Sequence, residues 1–277
     1  RENMTAFCWE RSYLRFLKDA GFSHVEYLPL ATDPDLFSCR SIPDKKIALA
    51  FIGTSMAGLF RSSLRKKFLW KKETEGLVYE IAEQLLSDPL TDIAHLIQQH
   101  AQTAEQSFSD ERNRVWLQSY CIHTAGMLKR KRIIESLKSF SIELFGDADG
   151  WQELVGDGFS IHPPVDYATK LPGVYSSISV NLNITSSQMS TAVNQRVFDI
   201  PVSGNFLITD YQKDLDELFD KDEIVVYRSN EELAELYLRY RNDEHSRRRI
   251  TQRARERILS EHTYIHRYES IRNKMFS

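Results

Sequence analysis

The chain has 277 residues, of which 42% are apolar and 27% are charged, and its net charge is −3. This composition is typical of a globular protein with one large domain or two ordinary ones. The small negative charge argues against a polycation that binds nucleic acid or anionic membranes, and no apolar run approaches the ~18 residues of a membrane-spanning helix. Cys8, Cys39 and Cys121 are too far apart for a disulfide framework, which predicts a cytoplasmic protein.

The first 45 residues predict a unit that is distinct from the remainder of the chain. RSYLRFLKDAGF has the apolar spacing of an amphipathic helix, HVEYLPL predicts a strand, and ATDPDLF predicts a turn. Residues Ser38–Lys46 then predict a linker. We therefore expect residues 1–45 to be the last helix and strand of another domain, followed by a linker.

Six short apolar runs after the linker predict strands that alternate with helical patterns. They are Ile47–Ile52, Ser141–Phe145, Phe159–His162, Ile178–Ile184, Phe206–Thr209 and Glu223–Tyr227. Strands that alternate with helices predict right-handed crossovers and a parallel sheet flanked by helices, which is an α/β fold. Ligands bind beyond the carboxyl ends of such strands, so the residues that follow each strand are the functional candidates.

Two regions depart from this alternation. Almost ninety mostly helical residues separate the first two strands of this set, which is too long for one crossover helix and predicts a helical insertion at about 56–138. Three successive helices are predicted from Glu231 onward, and the last begins near His262. We therefore assign residues 46–261 to the main domain and 262–277 to a closing helix.

The stretch NQRVFDIPVSGNFLITD, residues 194–210, carries the most informative chemistry. A helix that begins just after a strand directs free N–H groups at the sheet edge and favours anions. Arg196 adds a guanidinium suited to phosphate oxygens, and Asp199, one turn later, can accept hydrogen bonds from a ribose diol. Gly204 permits a tight turn into the next strand. A surface Arg–Asp pair would have the same spacing, and spacing does not decide between the two.

The segments RVFDIPVSGNFLITD, DLDELFDKDEIVVYRSNEEL and RARERILSEHTYIHR resemble the C-terminal half of the CgeB-like (spore maturation protein) glycosyltransferases. IALAFIGTS resembles the strand that opens the nucleotide-binding domain of that family, and FCWERSYLRFLKDAGFSHVEYLPLATDP resembles the end of its acceptor domain. The resemblance implies a Rossmann-like sheet flanked by helices, the C-terminal half of a GT-B fold.

The same resemblance implies a bacterial enzyme that transfers a sugar without a metal or another cofactor. Its partners would be a nucleotide sugar, such as a UDP- or GDP-sugar, and an acceptor that the sequence does not identify: a protein, a glycan or a small molecule. No nucleic acid or membrane span is implied, and a homo-oligomer is left open. A full GT-B enzyme also needs a complete N-terminal domain, which usually supplies the general base.

Site residues carry over to this sequence where the motifs match. Asp199 matches the family's ribose-binding carboxylate, although that residue is usually Glu. Arg196 matches the arginine that faces the diphosphate, and we assign it to catalysis through stabilisation of the leaving group. Asn194 and Gly204 belong to the same donor-binding segment.

The loop after the first strand of the main domain is a second matching position. Gly53, Thr54 and Ser55 match it, and their N–H groups and hydroxyls are expected to hold a phosphate, with Arg61 or Arg65 nearby.

The HPPVDY run, His162–Tyr167, matches the loop that lies against the nucleobase, where Tyr167 is expected to stack. Asn181 and Asn183 share one face of a central strand, where polar side chains need partners. We include Asn183 in the donor-binding set. Hydrogen bonding within the core is the alternative for both asparagines.

Other motifs support different chemistry less well. Asp147-Ala-Asp149 resembles a DxD metal motif, but a metal needs further oxygen ligands, so no metal site is predicted. The basic run Lys129–Arg132 is interpreted as a solvated helix face. The alternative to a transferase is a module that binds a nucleotide without catalysis and uses the helical insertion as an interface.

Overall fold

A computed structural model describes residues 4–38, 45–57, 72–101 and 111–276. The predicted Arg61 and Arg65, parts of the insertion and most of the predicted linker lie outside these residues. The first described segment contains β1 (Thr5–Cys8), a 3-10 turn, α1 (Leu14–Asp19) and β2 (His24–Tyr27), and its two strands pair in parallel. Strand β1 was not predicted, because its four residues, TAFC, are too few to show a period.

The main sheet has six strands, and their bounds lie within two residues of the predicted runs. They are β3 (Ile47–Ile52), β4 (Glu143–Phe145), β5 (Ser160–His162), β6 (Ile178–Asn183), β7 (Leu207–Asp210) and β8 (Val225–Tyr227). All neighbours are parallel, and the order is β5-β4-β3-β6-β7-β8. This is the Rossmann order, in which the direction of chain winding reverses between β3 and β6. The predicted parallel α/β sheet is confirmed.

The described helices after α1 include three in the predicted insertion and seven around the sheet. The insertion contains α2 (Lys72–Ser87), α3 (Ile93–Ala101) and α4 (Glu111–Ser136). The others are α5 (Ala148–Val155), α6 (Leu171–Ser177), α7 (Arg196–Val202), α8 (Leu215–Leu218), α9 (Asn230–Tyr240), α10 (Glu244–Glu261) and α11 (Tyr264–Phe276). The predicted helical insertion is therefore confirmed.

Most residues of the central strands are apolar because helices cover both faces of the sheet. On one face Leu49, Phe51 and Leu182 pack with Trp151 of α5. On the other face Leu207 packs with α7 and α10. The insertion has a smaller apolar cluster of its own, and the C-terminal part of α4 joins the first face of the sheet. Double burial explains continuous runs such as IALAFI, since neither face needs polar residues.

The chain segment after β2 is fixed against the start of α11. Thr32 pairs with Thr263 in an isolated bridge, and its N–H donates to the carbonyl of His262 at 3.2 Å. The guanidinium of Arg267 donates to the carbonyls of Pro29 at 2.7 Å and Leu30 at 3.0 Å. These contacts place the first described segment beside the carboxyl edge of the main sheet. No helix in the described part of the chain has the length and apolar character needed to cross a membrane.

We predict that Gly146→Ala destabilises the protein by about 1–3 kcal/mol, because overpacking displaces the backbone. A Cβ at Gly146 would lie 2.2 Å from the carbonyl oxygen of Gly53, in the loop after β3. Gly173→Ala is the matched control, since its Cβ would have no heavy atom within 4 Å. Thermal unfolding of the two variants measures the difference, and equal melting temperatures would contradict the packing described here.

Candidate functional site

A cleft of about 390 Å³ lies at the carboxyl edge of the main sheet, where the strand order reverses. Open α/β sheets bind ligands at this position. The loops after β3, β4 and β5, the start of α7 and one residue of α4 contribute to its walls. Six of the predicted donor-binding residues line it: Gly53, Thr54, Tyr167, Asn194, Arg196 and Asp199.

Two arginines from different helices contribute to the walls of the cleft, Arg196 of α7 and Arg130 of α4. Arg130 is 5% exposed, and one of its amino groups donates to the carbonyl of Thr54 at 3.0 Å. Burial, and then the charge of Arg196, lower the pKa of Arg130 to about 10. Within the described ranges neither guanidinium has a carboxylate within 4.0 Å. Two unpaired cations at one cleft favour a bound anion with several oxygens.

Arg130 corrects the interpretation of the basic run Lys129–Arg132 as a solvated helix face. Lys131 and Arg132 fit that interpretation in part: their side chains are 42% and 51% exposed, and they pair with Glu135 and Glu83. Lys129 pairs with Asp210 at 2.6 Å, at the end of β7. The sequence did contain a signal for the burial of Arg130. Arg130 lies three and four residues before the buried Ile133 and Ile134, and residues at that spacing share one face of a helix.

The N–H groups of residues 196–199 at the start of α7 already have acceptors, contrary to the expectation of free N–H groups there. The N–H of Arg196 donates to the side-chain oxygen of Asn194 at 3.1 Å, and the N–H of Val197 donates to the Asn194 carbonyl. The N–H groups of Phe198 and Asp199 both donate to the carbonyl of Gln195 at 2.9 Å. These four N–H groups are therefore not free to bind an anion, which leaves the two guanidinium groups as the candidate anion-binding groups.

Asn183 lies in the core and does not contribute to the cleft walls, which is the alternative raised for it above. Its side-chain oxygen accepts from the amide of Asn194 at 2.9 Å, and its own amide donates to the hydroxyl of Thr209 at 2.9 Å. The network fixes the Asn194 side chain, which in turn caps α7. Asn183 thus acts on the cleft through Asn194.

Asp199 is completely buried, and each of its carboxylate oxygens already accepts a hydrogen bond. The hydroxyl of Thr32 donates at 2.5 Å and that of Tyr167 at 3.0 Å. Burial raises the pKa of Asp199 to about 7, although these two hydroxyls and the charge of Arg196 oppose the shift. Asp199 forms no ion pair with Arg196 within 4.0 Å, so the two residues are not the surface pair considered above.

Tyr167 lines the cleft, with 43% of its surface exposed. Its ring contacts the edge of Phe37 at a centroid distance of 5.3 Å. His162 lies behind the cleft wall, stacked on Phe145 at 4.4 Å, with Nε2 located 2.8 Å from a carboxylate oxygen of Glu143. Of the predicted nucleobase loop, Tyr167 therefore faces the cleft and His162 does not.

The structure does not place Ser55 or Gly204 in the cleft. The N–H and hydroxyl of Ser55 donate to the two carboxylate oxygens of Asp147 at 2.5 and 2.6 Å, which replaces the phosphate contact expected for them. Asp147 thus orders the loop after β3. Gly204 has a φ of 81° and turns the chain before β7, at the opposite edge of the sheet. Across the described ranges, no cluster of three or more His, Cys, Asp or Glu side chains is arranged for a metal.

We predict that Asp199→Asn stabilises the unliganded protein increasingly as the pH rises. Because the pKa of Asp199 is about 7 in the fold against an ordinary 3.8, the unfolded chain ionises first, and the folded state loses stability as the pH rises from about 4 to 7. The stability of the variant relative to the wild type should increase by about 1–3 kcal/mol between pH 5 and pH 8.

Denaturant unfolding at the two pH values measures this difference. Asp19→Asn, at an exposed position of α1, controls for the loss of one negative charge. The same pH dependence in wild type and Asp199→Asn would show that Asp199 ionises as easily in the fold as in the unfolded chain.

Solved structures with the same fold are much longer than this chain and only distantly similar in sequence. A sucrose-phosphate synthase from Thermosynechococcus elongatus aligns with a TM-score of 0.52 and 10% identity, over 98% of this chain and 58% of that chain. HepE from Anabaena, solved with UDP and glucose, aligns with a TM-score of 0.54 and 10% identity, over 99% of this chain and 63% of that chain. HepE solved with UDP-glucose aligns with a TM-score of 0.53 and 9% identity, over 99% of this chain and 64% of that chain.

The chain thus spans about three fifths of the length of these structures. At such low identity the likeness shows the fold alone, and it confirms the predicted GT-B type. No curated protein matches the sequence. A family model described as glycosyl transferase-like matches residues 129–273, which is more than half of the chain. The chain therefore belongs to the glycosyl transferase-like family.

Proposed function

We propose that this chain binds a nucleotide-diphosphate sugar and transfers the sugar to an acceptor, as a CgeB-like glycosyltransferase. One observation carries the proposal: Arg130 and Arg196 line one cleft at the reversal point of the sheet, and neither has a carboxylate partner among the described residues. A diphosphate offers two linked anionic groups, which match two guanidinium groups from separate helices. Family membership supports the transfer reaction.

In the proposed mechanism the arginines act on the leaving group. When the bond between the sugar and the diphosphate breaks, negative charge increases on the diphosphate oxygens. Arg196 and Arg130 stabilise that charge from fixed positions, which lowers the barrier to departure. Arg196 is the residue that we assign to catalysis. Since the guanidinium groups supply the positive charge, the proposed mechanism requires neither a metal nor another cofactor.

The nucleoside end of the donor is proposed to lie towards Asp199 and Tyr167. A ribose diol donates hydrogen bonds to carboxylate oxygens, each of which has room for more than one donor. Thr32 and Tyr167 now occupy one position on each oxygen, so ribose would displace or join these hydroxyls. Because HepE has been solved with UDP-glucose, we propose a UDP-sugar as the first donor to test.

The acceptor half of the reaction is proposed to depend on a second domain. The first described segment resembles the end of the acceptor domain in CgeB-like enzymes, and we propose that this domain supplies the base that activates the acceptor. We also propose that the protein works in the bacterial cytoplasm. The second candidate function, a nucleotide-binding module without catalysis, uses the same cleft and predicts binding without turnover.

Binding of UDP tests the anion site directly. We expect Arg196→Gln and Arg130→Gln each to weaken UDP binding about 10- to 100-fold, because each removes a charged hydrogen-bond donor worth roughly 1.5–3 kcal/mol. Lys131→Gln is the matched control: it lies beside Arg130 on α4, pairs with Glu135 and does not contribute to the cleft walls. Isothermal titration calorimetry measures the three affinities, and equal affinity in all variants would rule out this site.

Turnover separates the two candidate functions. Release of UDP from UDP-glucose or another UDP-sugar, with or without added acceptors, supports the transferase. Tight UDP binding without turnover of any sugar nucleotide in a UDP and GDP panel supports the binding module. Failure of every UDP- and GDP-based ligand to bind would remove both.

A further inference from the structure

Glu10 of the first described segment reaches into the loop that leads to the cleft. This loop, residues 184–195 between β6 and α7, is called the donor loop here. The Glu10 carboxylate is completely buried and accepts from the N–H of Thr191 at 3.2 Å, the hydroxyl of Thr191 at 2.9 Å and the N–H of Ala192 at 3.1 Å. It also accepts from the N–H of Ser12 at 3.0 Å.

The buried carboxylate is compensated by neutral donors rather than by a cation. In the part of the chain that the structure describes, no ion pair involves Glu10. Burial acts to raise the pKa of Glu10, but the N–H groups of Ser12, Ala192 and Thr191 outweigh it and hold the pKa below its ordinary value. An ionised carboxylate with four aligned donors fixes the backbone that supplies them, because losing any one leaves a buried charge less well compensated.

A second set of contacts meets the donor loop at the same residue. The carbonyl of Thr191 accepts from the N–H of Asp214, just before α8. The Asp214 carboxylate accepts from the hydroxyl of Tyr27 at 2.7 Å and pairs with Arg11 at 3.5 Å. Both sides of Thr191 are therefore tied to the first described segment, directly through Glu10 and indirectly through Asp214.

The fixed residues lie immediately before the cleft residues of α7. Asn194 follows Thr191 by three positions and Arg196 follows it by five. The side chain of Asn194 caps α7, so the path of the chain through Thr191 and Ala192 determines where that helix begins. A shift of the loop would move the Arg196 guanidinium relative to Arg130, which α4 holds separately.

We infer that Glu10 is a positioning residue for the donor site: it fixes the donor loop through Thr191 and Ala192 and thereby sets the separation of Arg196 from Arg130. This inference rests on the proposed function, since it assigns Glu10 a role in nucleotide diphosphate binding without contact to the nucleotide. Glu10 does not contribute to the walls of the cleft.

Glu10→Gln tests the inference, because it keeps the size of the side chain and replaces one acceptor oxygen by a donor. We expect the Kd for UDP to rise at least tenfold and the amides of residues 184–195 to exchange hydrogen faster. Thr191→Val removes only the hydroxyl donor and should raise the Kd by a smaller factor, about threefold, which also covers the case in which Glu10→Gln fails to fold.

Two controls separate positioning from general stability. Glu26→Gln removes a carboxylate of the same segment that pairs with Lys274 and does not reach the donor loop. Ile81→Val removes a buried methyl group from the insertion and lowers stability without touching the loop. Both should keep the wild-type Kd for UDP, even where Ile81→Val lowers the melting temperature as much as Thr191→Val does.

The outcomes distinguish this inference from the proposed function. If the wild type binds UDP and both Glu10→Gln and Thr191→Val bind it equally well, Glu10 does not position the site, and the proposed function stands. If the wild type binds neither UDP nor GDP, the proposed function fails. In that case, if the amides of residues 184–195 exchange hydrogen at the same rate in Glu10→Gln as in the wild type, the claim that Glu10 fixes the donor loop is also wrong.

Discussion

The structure of the cleft depends on two guanidinium groups that face it without carboxylate partners in the described part of the chain. Burial of Arg130, and then the like charge of Arg196, lower the pKa of Arg130 to about 10, so the charged form is costly to hold there. Such an arrangement persists only where the surrounding structure fixes each side chain. The contacts around the cleft serve this purpose, because each fixes a part of the chain that carries, or lies beside, one of the two arginines.

On the α4 side, Lys129 and Arg130 are adjacent cations with different partners. Lys129 pairs with Asp210 at 2.6 Å and so fixes the helix to the end of β7. Arg130 points to the loop after β3 and donates to the Thr54 carbonyl. That loop is ordered in turn by Asp147, which binds the N–H and hydroxyl of Ser55. The helical insertion is therefore part of the cleft, since it contributes one of the two cations.

On the α7 side, polar side chains fix the helix that carries Arg196. Asn194 caps the helix, Asn183 orients Asn194, and Asp199 is held by hydroxyls of Thr32 and Tyr167. Thr32 is itself fixed against the start of α11. Segments that are far apart in sequence thus converge on one short helix, and the position of Arg196 depends on all of them.

The spacing of apolar residues, together with the resemblance to CgeB-like glycosyltransferases, predicted most of the fold. The six strands of the main sheet, the insertion and the placement of Arg196 and Asp199 at the carboxyl edge follow from apolar runs that alternate with helices, because burial on both faces leaves a signature in consecutive residues. The four-residue β1 left no such signature. The strand order came from the structure, although right-handed crossovers had already restricted it.

The sequence by itself determined which elements form and which chemical groups follow the strands. Only the tertiary structure decided which of those groups meet. It turned Arg130 into the cleft, directed Ser55 to Asp147, closed the start of α7 and enclosed Asp199 between two hydroxyls. Apart from the start of α7, whose acceptors lie two to four residues away, these outcomes depend on partners between 32 and 167 residues away in the sequence. Hydrogen bonds and ion pairs over such separations produce no periodic pattern in the amino-acid sequence, whereas the burial of apolar residues does.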